Sequence, residues 1–314
     1  MSAANAPDQA IAFVCEGETL IGVLHGAAAG ADRAAAQVGV VIVVGGPQYR
    51  AGSHRQFVFL ARALATAGHA VLRFDVRGMG DATGAQSSFE HIAADVAAAV
   101  AALRRHCPDV QSVALWGLCD GASAALLYLH ECHNEHRDDA VAGVCLLNPW
   151  IRSEFSLART HVKHYYAQRL LAPEFWRKLL SGRIAGEALR SLWANLLAAR
   201  GAKSTDESST PFQSRMASAL QRFEGNVLLV LSGDDYTAKE FIEFAQAQPT
   251  WRRLLQRPQL QRRELPNADH TLSAEADRRA MHAITLAWLA TLAHRPHNSH
   301  PHPAHPLPAA AHIS

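Results

Sequence analysis

Val113-Ala114-Leu115-Trp116-Gly117-Leu118-Cys119-Asp120-Gly121 is an apolar run that stops at a glycine-flanked cysteine and passes directly into a helix-like segment, Ala122–His130. Such a run fits a strand buried on both faces. The glycines allow a sharp turn where side chains would collide with neighbouring elements. Strand Val113–Trp116, tight turn and helix together read as a nucleophile elbow with Cys119 as the nucleophile. The helix points its N-terminus at Cys119, which favours a thiolate and a developing oxyanion alike. Most free cysteines pack as small hydrophobes. Cys15 in a strand pattern, Cys107 before Pro108, Cys132 late in a helix and Cys145 inside an apolar strand read that way, and only Cys119 has a reactive setting.

Outward from the elbow, strand and helix patterns alternate. Ile11–Cys15 and Leu20–Leu24, joined by a Glu16-Gly17-Glu18 turn, read as an antiparallel hairpin at a sheet edge. Val38–Val44 is a fully apolar strand, Arg55–Ala67 a helix closed by Gly68, Ala70–Phe74 a strand and Glu90–Arg105 an Ala-rich helix. Val141–Leu147 is a further apolar strand. This rhythm predicts an α/β fold, a doubly wound and mostly parallel sheet with helices on both faces. Residues 150–222 break the rhythm with helical segments at 161–171, 173–180 and 186–200, expected to form a helical cap over the carboxyl edge of the sheet. The core resumes with strand Asn226–Leu231, helix Lys239–Gln248, a weaker strand at Gln259–Leu265 and helix Ala274–Ala293. The expected organisation is therefore a core in two parts, 1–149 and 223–293, a cap at 150–222 and a disordered tail at 294–314. That tail interleaves six histidines with proline, a composition that builds no core and fixes no metal geometry.

Several classes drop out on composition. With 314 residues, 49% of them hydrophobic, the chain can bury a sizeable core. Thirty Lys and Arg nearly balance 28 Asp and Glu, and no basic stripe points to nucleic acid. Five irregularly spaced cysteines argue against a disulfide framework, and none are close enough in sequence to suggest a metal site. Met1–Ala10 lacks an apolar signal core and no apolar stretch is long enough for a membrane span, so a soluble cytoplasmic protein is expected. Gly78-Met79-Gly80 lacks the third glycine of a dinucleotide fingerprint, and no cofactor is called for. The oligomeric state is not legible.

A cysteine nucleophile needs a base, and the base an orienting acid. In doubly wound enzymes of this kind the chain order is nucleophile, acid, histidine, each on a loop after a strand. Strand Asn226–Leu231 ends in Ser232-Gly233-Asp234-Asp235, and the next strand in Pro266-Asn267-Ala268-Asp269-His270. His270 is the expected base and Asp235 the preferred acid, with Asp234 the alternative; Asp269 reads as a cap or a solvated carboxylate. The oxyanion donors expected are the backbone N–H groups of Asp120 and of Gly46, with Gln48 second to Gly46 because Pro47 has no N–H. Gln48, Arg50, His54 and Arg55 stand where a substrate carboxylate or phosphate could be held. Asp75 and Arg77 are expected to lock their loop through an ion pair.

Val43-Val44-Gly45-Gly46-Pro47-Gln48-Tyr49-Arg50, Gly52-Ser53-His54-Arg55-Gln56-Phe57 and Phe74-Asp75-Val76-Arg77-Gly78-Met79-Gly80-Asp81 carry a resemblance. So do Gly117–Gly121 and Leu231–Asp235 with Thr237-Ala238. Over residues 11–293 the chain resembles the α/β-hydrolase superfamily, and within it the hydrolase 1 family associated with exosortase A systems of exopolysaccharide gene clusters. The elbow alone resembles those of dienelactone hydrolases and polyhydroxyalkanoate synthases. The resemblance implies a hydrolase acting on a small-molecule acyl substrate, an ester or thioester, through Cys119, His270 and Asp235. It leaves open an acyltransferase that passes the acyl group to a saccharide or lipid hydroxyl, and a non-catalytic binding protein on the same fold. Asp120 stands out, because a carboxylate beside the thiol raises the thiol pKa unless it points away.

Overall fold

The computed structural model describes residues 8–28, 30, 32–46, 48–134, 140–152 and 210–293. Its sheet runs β1-β2-β4-β3-β5-β6-β7-β8. The strands are β1 Gln9–Cys15, β2 Glu18–His25, β3 Val38–Val43, β4 Val71–Phe74, β5 Ser112–Leu118, β6 Val141–Leu147, β7 Asn226–Asp234 and β8 Leu260–Asp269. Every residue of β3, β4 and β5 is buried, as continuous apolar runs must be when both faces are covered. β1 instead alternates buried Ile11, Phe13 and Cys15 with exposed neighbours, since one face of this edge strand meets solvent. β1 pairs with β2 and β2 with β4 antiparallel; all other pairings are parallel. The edge hairpin and the doubly wound sheet are as the sequence predicts.

The helices are α1 Arg33–Ala36, α2 Gln56–Thr66, α3 Ala93–His106, α4 Asp120–Asn134, α5 Phe212–Arg222, α6 Tyr236–Ala247, α7 Pro249–Leu254 and α8 Glu275–Ala293. Val41, Leu72, Leu115 and Leu229 pack on one face against Leu103 of α3, Leu126 of α4 and Met216 of α5. Val40, Ile42, Trp116 and Leu228 pack on the other against Phe57 and Leu64 of α2 and Trp288 of α8. The strand order reverses between β3 and β5, so the carboxyl ends of β3, β5, β6, β7 and β8 open at one edge, where α/β sheets bind their ligands.

α5, within the stretch 150–222 expected to form the cap, instead packs Phe212, Met216 and Leu220 into the core; the other differences from expectation are local. β5 runs on to Leu118 and α4 begins at Asp120, so the elbow is Cys119 alone. Ser53–Arg55 forms a 3-10 turn with His54 (φ 53°) and Arg55 (φ 59°) left-handed, which delays α2 to Gln56 because such residues cannot continue a right-handed helix. Phe89–His91 is a 3-10 turn before α3, and α6 starts at Tyr236 because Asp235 caps it. The helical segments expected at 161–171, 173–180 and 186–200, and the tail 294–314, lie outside the described residues. Among the described residues no helix is long and apolar enough to cross a membrane.

Candidate active site

Cys119 has φ 59°, a left-handed conformation that a non-glycine residue holds only under constraint. The constraint is visible. Its N–H donates to the Leu147 carbonyl at 2.9 Å, and its own carbonyl accepts from the N–H of Trp150 at 3.1 Å and of Ala122 at 3.1 Å. Ser123 Oγ donates to the Trp150 carbonyl at 2.6 Å, fixing the loop after β6 to the first turn of α4. A Cβ at Gly121 would overlap the Val43 carbonyl, so that glycine is what lets α4 start against β3.

Across the sheet edge, His270 Nδ1 lies 2.8 Å from Asp235 Oδ2. Asp235 is buried, and its Oδ1 accepts from the Thr237 N–H at 2.9 Å. One carboxylate therefore caps α6 and orients the imidazole. Asp234, the alternative acid, is exposed, and the hydrogen bond to His270 comes from Asp235. Asp269 accepts from the N–H groups of Thr271 at 2.9 Å and Ser273 at 3.1 Å, the capping role expected of it. Buried Asn148 ties β6 to β7: its Oδ1 accepts from the Ser232 N–H at 2.8 Å and its amide donates to Ser232 Oγ at 3.0 Å. The hydrogen bond to Asp235 raises the His270 pKa, burial opposes it, and the charges of Asp235, Asp120 and Asp269 add to the rise. With Nδ1 engaged by Asp235, Nε2 is the ring nitrogen left free of that pair.

The thiol departs from expectation. Burial, and after it the Asp120 carboxylate, push the Cys119 thiol up to about 12, against smaller opposing effects of the Asp120 N–H and of Arg152. The helix N-terminus does not make a resting thiolate here, because burial, and after it the Asp120 carboxylate, outweigh it. Burial also raises the Asp120 carboxyl, opposed by the backbone N–H groups of Gly46, Asp120 itself and Gly121 and by His270. The carboxylate folds back over the loop after β3: a Cβ at Gly45 would overlap it, and one at Gly46 would stand 3.4 Å from Oδ2.

Cys119, Asp120 and His270 line one cavity of about 270 Å³ with Gly45, Gly46 and Gln48. Phe57, Leu118 and Trp150 complete its described wall. The buried Oε1 of Gln48 has no hydrogen-bond partner among the described residues. Phe57 and Trp150 were not singled out by the sequence; the signal for Trp150 is its place just after a core strand, beside Arg152, whose guanidinium stacks 5.0 Å from its ring and pairs with Glu240.

The basic cluster needs correcting. Arg50 pairs with Asp75 and, at 2.6 Å, with Asp81, and Asp75 Oδ1 accepts the Arg50 N–H at 2.7 Å. Its guanidinium is used in bracing loops and does not line the cavity. Asp75 and Arg77 do not pair with each other. Arg77 instead holds buried Asp95 at 2.9 Å and Glu16 of the hairpin turn, while Asp75 is taken by Arg50. His54 and Arg55 are exposed outside the cavity wall, with Arg55 5.2 Å from the Phe59 ring. Among the described residues no group of three or more His, Cys, Asp or Glu side chains is placed to hold a metal.

Residues 35–247 match the family model Hydrolase_4, described as serine aminopeptidase, S33. No curated protein matches the sequence. Among solved structures the fold is similar to an esterase from Pyrococcus furiosus, at 16% identity and TM-score 0.59, with 91% of each chain covered. It is also similar to Est1E from Butyrivibrio proteoclasticus, solved with ferulic acid bound, at 13% identity and TM-score 0.57, covering 90% of this chain and 98% of that one. An α/β serine hydrolase homologue from Coxiella burnetii is similar at 13% identity and TM-score 0.54, with 90% and 97% covered. At these identities the likeness is one of fold.

Proposed function

The chain belongs to the serine aminopeptidase S33 family of α/β-hydrolases, and from that footing we propose that it hydrolyses small esters or thioesters through an acyl-enzyme on Cys119. The observation that carries the reading is the His270–Asp235 pair, 2.8 Å apart, with His270 on the same cavity wall as a cysteine held at φ 59°. The family description names a serine enzyme, and this chain has sulfur in place of that oxygen. A thiol near 12 behaves in this respect like an alcohol: it attacks only as its proton leaves. His270 Nε2 takes that proton while Sγ bonds to the acyl carbon and the carbonyl electron pair moves onto oxygen, facing the N–H groups of Gly46 and Asp120. Collapse expels the alkoxide or thiolate, which receives the proton from His270. Water then attacks the thioester, His270 takes its proton, and collapse releases the acid and restores the thiol.

A cavity of about 270 Å³ is at the small end for ligand sites and suits a short acyl group. The Gln48 Oε1, without a partner among the described residues, favours a second reading, acyl transfer, because it is an acceptor that a saccharide or lipid hydroxyl could meet on taking the place of water. The narrower kinship with exosortase-associated hydrolases belongs to this proposal too; it rests on the loop and elbow residues and would put the acceptor in exopolysaccharide chemistry. The test is intact-mass spectrometry after incubation with 4-nitrophenyl acetate, butyrate and octanoate. A hydroxylamine-sensitive acyl adduct, strongest for the short chains and absent from Cys119→Ala, is expected. An adduct that survives Cys119→Ala would remove the nucleophile assignment.

A further inference from the structure

The N–H groups of Gly46 and Asp120, assigned above to a developing oxyanion, already have an acidic side chain beside them, that of Asp120 itself. The Asp120 side chain turns back from the first residue of α4, and its carboxylate lies over Gly45 and Gly46, which have no Cβ to exclude it. Burial raises its pKa, and three backbone N–H groups, those of Gly46, Asp120 and Gly121, oppose that rise in favour of the charged form. A backbone N–H offers one proton along one direction. A carboxylate oxygen and an acyl oxygen bearing negative charge cannot both take it at full strength, and two like charges in contact inside a water-poor cleft repel strongly. The charged groups around the carboxylate do not remove the conflict: His270 lies near enough to favour its charge, with Asp235 behind the imidazole, and Cys119 is a neutral thiol.

We propose, resting on the reading of the Gly46 and Asp120 N–H groups as the oxyanion donors, that the Asp120 carboxylate is a resident occupant of the oxyanion hole which an acyl oxygen must displace. Asp120 is then a residue that sets which substrates react: an acyl group is turned over only if the rest of its binding compensates for evicting the carboxylate. Simple activated esters, which bring little beyond a carbonyl, react slowly with the wild-type protein. The same geometry explains how the turn tolerates an acidic residue in the position after the nucleophile. The backbone groups that serve chemistry elsewhere in the cycle solvate it at rest.

Binding of butyrate, a carboxylate the size of a short acyl product, tests this without using the nucleophile. Isothermal titration at pH 7 compares the full-length wild type with Asp120→Ala, which empties the hole, and Asp120→Asn, which keeps an oxygen there but removes the charge. Asp120→Ala is expected to bind butyrate at least about tenfold more tightly than wild type, a modest share of the hundred- to thousandfold that one oxyanion donor is worth in catalysis. Asp120→Asn is expected to fall between them. Equal affinity in all three proteins overturns the proposal, and equal gains in the two variants reduce the effect to charge alone and overturn occupancy. Acylation by 4-nitrophenyl butyrate is followed by mass in parallel, and Asp120→Ala is expected to acylate faster. Slower acylation in both variants would make the carboxyl a participant in the chemistry and also overturns the proposal. No adduct on Cys119 in any of the proteins would instead remove the nucleophile reading, while the butyrate titration still decides what occupies the hole.

Discussion

At the β7–β8 end of the site, Asp235 and His270 form a pair in which every polar contact supports the charged carboxylate: an imidazole at 2.8 Å and a helix N–H at 2.9 Å. At the β3–β5 end, Cys119 and Asp120 are neighbours in sequence whose charges oppose one another, and the thiol is held neutral. Both ends lie at the start of a helix, so the helix terminus alone does not explain the contrast. What differs is which atom receives the backbone N–H groups. At Asp235 the carboxylate that caps the helix also orients the base. Beside Cys119 the second carboxylate is the first residue of α4, and it lies over Gly45 and Gly46 instead of orienting a base. One end is built to hold a charge before reaction, the other to release one during it.

The contrast breaks most visibly at Asp235. Asp235→Asn should lower the acylation rate by roughly two to four orders of magnitude, since an amide leaves the imidazole in the wrong tautomer. It should also move the acid limb of the pH–rate profile to lower pH, because the His270 pKa is raised chiefly by the Asp235 hydrogen bond and the base works only when neutral. The stability sign follows from the same rise. A histidine with a raised folded-state pKa contributes stability that is fully present below its ordinary value and is lost as pH rises through the raised one. The melting-temperature deficit of Asp235→Asn should therefore be larger at pH 6 than at pH 9, and an equal deficit at both would count against the pair.

Gly121→Ala probes the packing under the elbow. Its Cβ would overlap the Val43 carbonyl, so a loss of about 1–3 kcal/mol is expected from overpacking, read by denaturant unfolding. The smallest effect sharpens the comparison of the two adjacent carboxylates: Asp234→Asn, at an exposed position, should leave the acylation rate within about twofold, in keeping with the half-unit scale of most surface substitutions. A large loss there would return the acid to the alternative assignment.

Much of this site is legible along the chain because it depends on local order. A strand that stops at Gly117-Leu118-Cys119-Asp120-Gly121, a later strand that stops at Gly233-Asp234-Asp235 and another that leads to His270 can be read from periodicity and turn residues alone. The exposed His54 and Arg55 and the fully engaged Arg50 were harder. A basic cluster looks the same in sequence whether its guanidiniums face a ligand or a buried carboxylate such as Asp75, which comes from a different strand. Phe57 and Trp150 were missed for a related reason, since an aromatic on a core element gives no sign of which side faces a cleft.

By itself the sequence determined the alternation of strands and helices, the edge hairpin, the strand-to-helix turn at Cys119 and the places of Asp235 and His270 just after later strands, because these follow from hydrophobic period and from glycines at turns. The tertiary structure decided which of two adjacent carboxylates meets His270, which acid holds Arg50, and where the Asp120 side chain points. Those outcomes are set by backbone N–H groups and partners that arrive from distant parts of the chain, Gly46 toward Asp120 and His270 toward Asp235, once the parallel strands bring their carboxyl ends to one edge. A side chain's direction is chosen by such partners, and no local pattern encodes them.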